Sequence, residues 1–372
     1  MPSVGLRRPV SLGSLNLTKT KPAPLKAPFP WFGGKSRAAP IVWARFGTVK
    51  NYVEPFFGSG AVLLSRPDPS GTETVNDADG LLANFWRALR AEPATVAQWA
   101  DNPVNENDLH ARHAWLVGRK ASLQTRLEGD PDWYDPKIAG WWVWGLCCWI
   151  GSGWCEGKGP WHVVGGQLVK AGPGGVKKQI PHLANKGRGV NRQLPSLRNG
   201  GMGVINHLEG RGVNRKLPEL RSSRGVFSER AQALTEYLEQ LALRLARVRV
   251  CCGDWSRVCT PTPTVFQGLT AVFLAPPYLA STGRDMSLYN HESGTVAAEA
   301  AAWCREHGDD PRLRIALCGY EGEHRLPRGW TCVEGKATNG GYGNLNAANK
   351  NAARERIWFS PHCLKVRASK AA

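Results

Sequence analysis

Three short stretches hold residue types that could do chemistry together. The first is Phe56-Phe57-Gly58-Ser59-Gly60, directly after the run Tyr52-Val53-Glu54. Glycines let a backbone turn sharply and come close to a ligand. The acid that closes the next apolar run, Asp77, stands where doubly wound folds bind ribose hydroxyls. No Lys-Ser/Thr pair follows the glycines, which excludes a P-loop. The second stretch is Ala275-Pro276-Pro277-Tyr278, after the apolar run Ala271 to Leu274. Two prolines remove two N–H donors, stiffen the chain and leave carbonyls free to accept hydrogen bonds. A plain strand terminator or a polyproline II epitope would use the same residues, but the carboxyl end of a strand is where open α/β sheets bind ligands. The third stretch is Pro30-Trp31-Phe32-Gly33-Gly34-Lys35, whose ring, glycine pair and cation suit a lid over a flat, partly anionic ligand.

These residues meet only if several strands end side by side. The patterning supplies such strands. Tyr52 to Glu54 reads as a strand, a helix starts near Ala61, and Glu73 to Val75 reads as a second strand ending at Asn76-Asp77. Leu81, Leu82, Phe85 and Leu89 then recur at helical spacing. Further on, Ser228 suits the N-cap of a helix carrying Leu234, Leu238, Leu241, Leu245 and Val248. Strands follow at Arg249 to Cys252, ending at Gly253-Asp254-Trp255, and at Ala271 to Leu274. A helix from Thr295 to His307, a strand at Arg314 to Cys318 and a last strand at Glu355 to Phe359 complete the alternation. The fold class is α/β with a doubly wound sheet. Residues 27–98 plus 226–363 form its domain, interrupted by an insertion over residues 99–225. Residues 1–26 read as a flexible basic arm, residues 338–351 as a mobile loop and residues 364–372 as a tail.

The insertion is basic. Of 372 residues 48 are Lys or Arg and 30 are Asp or Glu, a formal charge of +18. Between Lys158 and Gly225 thirteen Lys or Arg face only Glu209 and Glu219, so most of that excess sits in one segment. The same segment holds fourteen glycines, too many for helices or regular strands, and reads as loops along a phosphate backbone. It contains a repeat: Gly187 to Arg198 and Gly210 to Arg221 agree at ten of twelve positions. The copies present Arg188, Asn191, Arg192 and Arg198, then Arg211, Asn214, Arg215 and Arg221. Arg reads guanine edges and Asn reads adenine edges bidentately. A duplicated structural loop with solvated arginines is the alternative. Six of sixteen tryptophans lie between Trp141 and Trp161, as a hydrophobic seat for the insertion rather than a base-stacking platform.

Several classes are excluded. The longest near-uniform apolar run, Ile138 to Ile150, is too short to span a bilayer, which takes roughly 18 residues. No apolar region follows the N-terminal cations, so no secretory signal is expected and the protein reads as cytoplasmic, with no membrane partner. The ten cysteines form no C-x-x-C pair and read as reduced, mostly buried thiols. His162, His182 and His207 lack metal-ligand spacing, so no metal is assigned. Arg284, Tyr289 and His291 read equally as borders of a site or as a solvated loop. The oligomeric state stays open between a monomer and a weak dimer.

Taken in order, the motifs resemble those of the Dam-like, D12 class DNA N6-adenine methyltransferases. PWFGGK resembles their N-terminal W-x-G-G-K, VEPFFGSG the cofactor loop F-x-G-x-G, and NDAD the acidic motif after the second strand. GDW resembles the next D-F/W motif, APPY the catalytic D-P-P-Y, and ERIWF the last strand. The resemblance spans roughly residues 27–363 and implies a Rossmann-like methyltransferase sheet with an inserted, Gly-rich target recognition region. It further implies S-adenosylmethionine as cofactor and double-stranded DNA as partner. On this resemblance Trp31 and Lys35 help enclose the cofactor, and Glu54, Phe56, Gly58 and Gly60 shape its methionine and main-chain pocket. Asp77 holds its ribose hydroxyls and Asp254 contacts its adenine. Ala275, Pro276, Pro277 and Tyr278 occupy the catalytic positions, with Tyr278 stacking on an extruded adenine. Position 275 departs from the family, which has Asp there, or Asn or Ser in some relatives. The expectation is a chain that binds cofactor and DNA but methylates very slowly or not at all. The alternative is a non-catalytic DNA-binding protein on the same scaffold, and a third reading is modification of RNA or of another amine.

Overall fold

The computed structural model describes residues 25–31, 33–149, 153–156, 161–164, 167–170, 226–277, 295–335 and 354–366. The N-terminal arm up to residue 24, the eight Arg and Asn residues of the repeat, Tyr278 and the Arg284, Tyr289 and His291 group lie outside the described residues.

After α1 (Ala39–Phe46), β1 (Asn51–Glu54) leads through α2 (Ala61–Leu64) to β2 (Thr72–Asp77). Then come α3 (Gly80–Ala91), α4 (Pro93–Ala100), α5 (Glu106–Val117), α6 (Lys120–Gly129) and α7 (Pro136–Cys148). A hairpin of β3 (Trp161–Val164) and β4 (Gln167–Lys170) precedes α8 (Val226–Leu245), β5 (Val248–Cys252) and β6 (Thr270–Leu274). The chain closes with α9 (Val296–His307), β7 (Leu313–Tyr320), β8 (Thr331–Glu334) and β9 (Glu355–Phe359). Seven strands form one sheet in the order β5-β2-β1-β6-β7-β9-β8. The first five run parallel, and β9 is antiparallel to both β7 and β8.

Burial explains the strand sequences. Central β1 and β6 are covered on both faces and buried at every position; β6 is accordingly apolar from Ala271 to Leu274, while β1 buries the polar Asn51 and Glu54 at its ends. Edge strand β5 alternates buried and more exposed residues. The main core lies on the side of the sheet that carries α3, α7 and α8. A smaller core packs α9 and the turn Trp255–Val258 against the opposite side. Helix starts follow local chemistry: Asp79 accepts from the Leu81 N–H, and Asp135 accepts from the Ile138 N–H ahead of Pro136.

Four sequence expectations change. The helix after the basic segment begins at Val226, ahead of Ser228. The Gly-rich segment is not all loop, because β3 and β4 pair within it. Residues 99–148 carry three helices, and β8 has no counterpart in the sequence reading; its short TCVE run is mostly exposed and shows no period. The tryptophans behave as a seat: Trp142, Trp144, Trp149 and Trp154 are buried, and Trp142 packs edge-on to Phe29. Eight of the ten cysteines are buried. Among the described residues no helix is long and apolar enough to cross a membrane.

Three arginines, Arg66 and Arg87 buried and Arg244 half-buried, tie the helices and loops to the sheet. Arg87 on α3 donates to the carbonyls of Val250, Leu127, Asp130 and Trp133, so one guanidinium gathers β5, the end of α6 and the turn before α7. On β2, Glu73 takes Arg66 at 3.0 Å and the fork of Arg244 from α8 at 2.7 and 2.8 Å. Removing one member of such a buried set leaves the others desolvated and unpaired. Glu73→Ala is therefore expected to destabilise the protein by about 3–5 kcal/mol, read from the midpoint of a urea unfolding curve.

Candidate active site

The strand order reverses between β1 and β6, the point at which doubly wound sheets bind ligands outside their carboxyl ends. Five parallel strands deliver their following loops to that edge. Glu54 closes β1, Asp77 closes β2, Gly253-Asp254 follow β5, and Ala275-Pro276-Pro277 follow β6.

The glycine loop is stitched to the end of β2. The Phe57 N–H donates to the Asn76 carbonyl at 2.9 Å, and the Gly58 N–H donates to Asp77 Oδ2 at 2.9 Å. The Trp86 indole donates to the Gly58 carbonyl at 3.0 Å. Gly58 and Gly60 sit at φ of +50° and +63°, where a side chain is strained. A Cβ at Gly58 would lie 2.6 Å from Trp31 Nε1, and one at Gly60 would lie 2.7 Å from the Phe57 ring. Trp31 thus lies directly against the loop, and both glycines are required by conformation and by space.

The two acids have different surroundings. Asp77 is half-buried, and desolvation pushes its carboxyl up to about 6, against the pull of the Asp79 and Gly58 N–H groups. Asp77 Oδ1 takes the Asp79 N–H at 3.0 Å. Each oxygen holds one backbone donor and keeps lone-pair capacity for a ligand hydroxyl. Glu54 is buried beneath the loop and accepts from the Tyr52 hydroxyl at 2.8 Å. Desolvation pushes it up to about 8, and hydrogen bonds from Tyr52 and the Leu63 N–H oppose that only in part. At neutral pH it holds its proton.

On the other side of the loop Phe56 stacks on Trp255, with centroids 5.8 Å apart. Asp254 is exposed, and its Oδ1 takes the Ser256 N–H and hydroxyl, which orders the turn and leaves Oδ2 open. Ala275 is half-buried against the main core, Pro276 is buried and Pro277 half-buried. Lys35 pairs with Glu355 at 3.3 Å.

The structure therefore brings Trp31, Lys35, Glu54, Phe56, Gly58, Gly60, Asp77, Asp254, Ala275, Pro276 and Pro277 to one edge of one sheet. It adds residues that the sequence reading did not single out. Asn76 donates to the carbonyls of Pro55 at 3.2 Å and Gly253 at 2.9 Å, locking the β1 and β5 loops together. Its place in the NDAD motif was the available signal. The place of Glu355 at the head of the ERIWF motif was likewise a signal; Trp86 had none, being an ordinary member of a helix.

A mostly parallel sheet reversing at this point, with a glycine loop after the first strand and an acid after the second, is a Rossmann-like methyltransferase fold. Residues 31–112 match the family model of the D12 class N6 adenine-specific DNA methyltransferases. That family methylates the N6 amine of adenine in DNA. The matched segment, less than a quarter of the chain, includes Trp31, Lys35, the glycine loop and Asp77, and ends before the Ala275 loop. No curated protein matches the chain.

Two outcomes follow. Gly58→Ala meets Trp31 at a strained φ and is expected to cost about 1–3 kcal/mol of stability, read from the midpoint of a urea unfolding curve. Glu54 is raised on folding, so the stability it contributes is complete below its unfolded value near 4.5 and is lost as pH rises through about 8. Glu54→Gln should flatten the fall of the melting temperature over that window and stabilise the unliganded protein at pH 8.5 by on the order of 2 kcal/mol.

Proposed function

We propose that the protein is a site-specific DNA adenine N6-methyltransferase scaffold, acting in the cytoplasm on double-stranded DNA with S-adenosylmethionine as methyl donor, and slowed at its chemical step by Ala275. The observation that carries this reading is the convergence of the glycine loop, Asp77 and the Ala275-Pro276-Pro277 turn on the edge where the strand order reverses, in a chain that matches the D12 family at residues 31–112.

The residues suit the donor. The backbone at Gly58 and Gly60 leaves a cradle that any Cβ would fill, and Asp77 keeps acceptor capacity for ribose hydroxyls. When bound, the donor supplies an electrophilic methyl group on a sulfonium. Glu54 and Phe56 shape the pocket for its amino-acid end, Trp31 and Lys35 enclose it, and Asp254 offers Oδ2 to its adenine. The Arg188, Asn191, Arg192 and Arg198 group and the Arg211, Asn214, Arg215 and Arg221 group contact DNA, their charge favouring phosphates and their amide and guanidinium edges favouring bases.

The chemistry turns on the acceptors at the end of β6. The N6 lone pair of adenine is delocalised into the ring, so the amine is a poor nucleophile. Two acceptors, one on each amine hydrogen, pull the nitrogen toward a tetrahedral shape and aim its lone pair at the methyl carbon. The Pro276 carbonyl provides one. The Ala275 methyl cannot provide the other, and losing one such electrostatic contact costs on the order of 100- to 1000-fold in rate. Tyr278 supplies the stacking face for the extruded base.

Ala275 also favours a second reading, a DNA-binding protein that keeps the scaffold without catalysis. A labelled-methyl transfer assay on duplex DNA separates the two. Ala275→Asp is expected to raise turnover at least 100-fold over the natural chain. Equal turnover of the two forms at a substantial rate overturns the acceptor mechanism, and an Ala275→Asp form that binds DNA and donor but stays inert supports the non-catalytic reading.

A further inference from the structure

Lys35 and Glu355 are 320 residues apart in sequence and meet at 3.3 Å, with only 11% and 12% of their side chains exposed. Their supports are unequal. Glu355 opens β9, an interior strand: it is registered opposite Tyr320 of β7 on one side. On the other side its carbonyl accepts the Gly335 N–H, just past β8, at 2.8 Å. The neighbouring Arg354 carbonyl accepts the Glu321 N–H at 2.8 Å. The sheet therefore holds this carboxylate from both sides. Lys35 lies in the irregular chain ahead of α1, where its carbonyl takes the Ala39 N–H at 2.9 Å. Gly34, just before it, borders the glycine loop: a Cβ there would sit 4.0 Å from Ser59 Oγ. The Cys318 thiol on β7, raised by burial to about 12, has Lys35, Glu355 and Glu54 as its charged neighbours, which places the pair beside the site.

We propose that Glu355 is a positioning residue for donor binding: anchored by β7 and β8, its carboxylate holds the Lys35 ammonium at the edge of the glycine-loop pocket and so sets where Trp31 and Lys35 close over the ligand. A rigid partner on a flexible cation is the arrangement that keeps a binding group within reach of its productive geometry. The pair is poorly hydrated, so its strength is not screened away as a surface pair would be.

The inference rests on the donor reading above, and the test separates the two. Calorimetric titration of the full chain with S-adenosylmethionine is run on the natural protein, Glu355→Gln, Glu355→Asp, Lys35→Met and the double variant Lys35→Met/Glu355→Gln. Glu355→Gln is expected to weaken binding about 10-fold, or about 1.4 kcal/mol. Lys35→Met, which also removes the cation that encloses the donor, should lose at least as much, and the double variant should be no weaker than Lys35→Met alone, because Glu355 acts only through Lys35. Glu355→Asp, which keeps the charge, should recover most of the loss, while the melting temperatures without ligand stay close to that of the natural chain. Undiminished binding by Glu355→Gln overturns the proposal. So do losses that add in the double variant, or a loss that Glu355→Asp does not reduce. A natural chain that fails to bind the donor at all overturns the donor reading itself.

Discussion

A backbone hydrogen bond to a carboxylate organises this edge of the protein: the Gly58 N–H to Asp77 Oδ2. It joins the loop after β1 to the end of β2 and keeps Gly58 at a positive φ that only glycine holds without strain. Burial leaves the same acid with a raised proton affinity, against the pull of the backbone N–H groups around it. Asn76 extends the stitching to the loop after β5. Loop conformation, the Asp77 carboxylate and the turn after β5 are thus one construction, and a change in any of them is felt by the others.

Charge is distributed in the opposite way from what the total suggests. Between Glu92 and Lys137 eight acids outnumber five Lys and Arg, so the segment that runs through α4, α5 and α6 to the start of α7 carries a net negative charge, most of it in the connections between the helices. The cations there are largely occupied by aromatic rings: Lys137 lies 4.6 Å from the Trp141 ring and Arg119 lies 3.6 Å from that of Trp115. The positive excess that points to a polyanion sits between Lys158 and Gly225, outside this helical layer. Arginines elsewhere serve the fold. Arg87, Arg66 and Arg244 spend their donors on carbonyls and on Glu73, where desolvation makes each contact costly to lose.

Much of the architecture was legible because its signals are local. Short runs ended by a glycine loop and by a proline pair marked β1 and β6, and a period near 3.6 marked α3 and α8. Each expected strand of the α/β alternation is present, with ends displaced by two residues or fewer. The misses have physical causes. The brief, exposed β8 lacks a buried face to impose a pattern, and the β3–β4 hairpin hid within a glycine-rich composition. Helix α8 begins at Val226, before the Ser228 cap.

The order of motifs along the chain was enough to identify the kind of sheet and to place the motifs at one of its edges, since glycines and prolines impose their conformations wherever they fall. It also drew attention to Ala275, where the resemblance implies Asp, because a methyl group accepts no hydrogen bond in any fold. The partnerships of Lys35 with Glu355, of Asn76 with Gly253 and of Trp86 with Gly58 were decided by tertiary structure alone. Contacts between residues far apart in sequence leave no periodicity or spacing to read, and only the closing of the sheet brings them within hydrogen-bond reach. The raised proton affinity of Glu54 has the same origin, because its strand shows an acid but not the depth at which folding buries it.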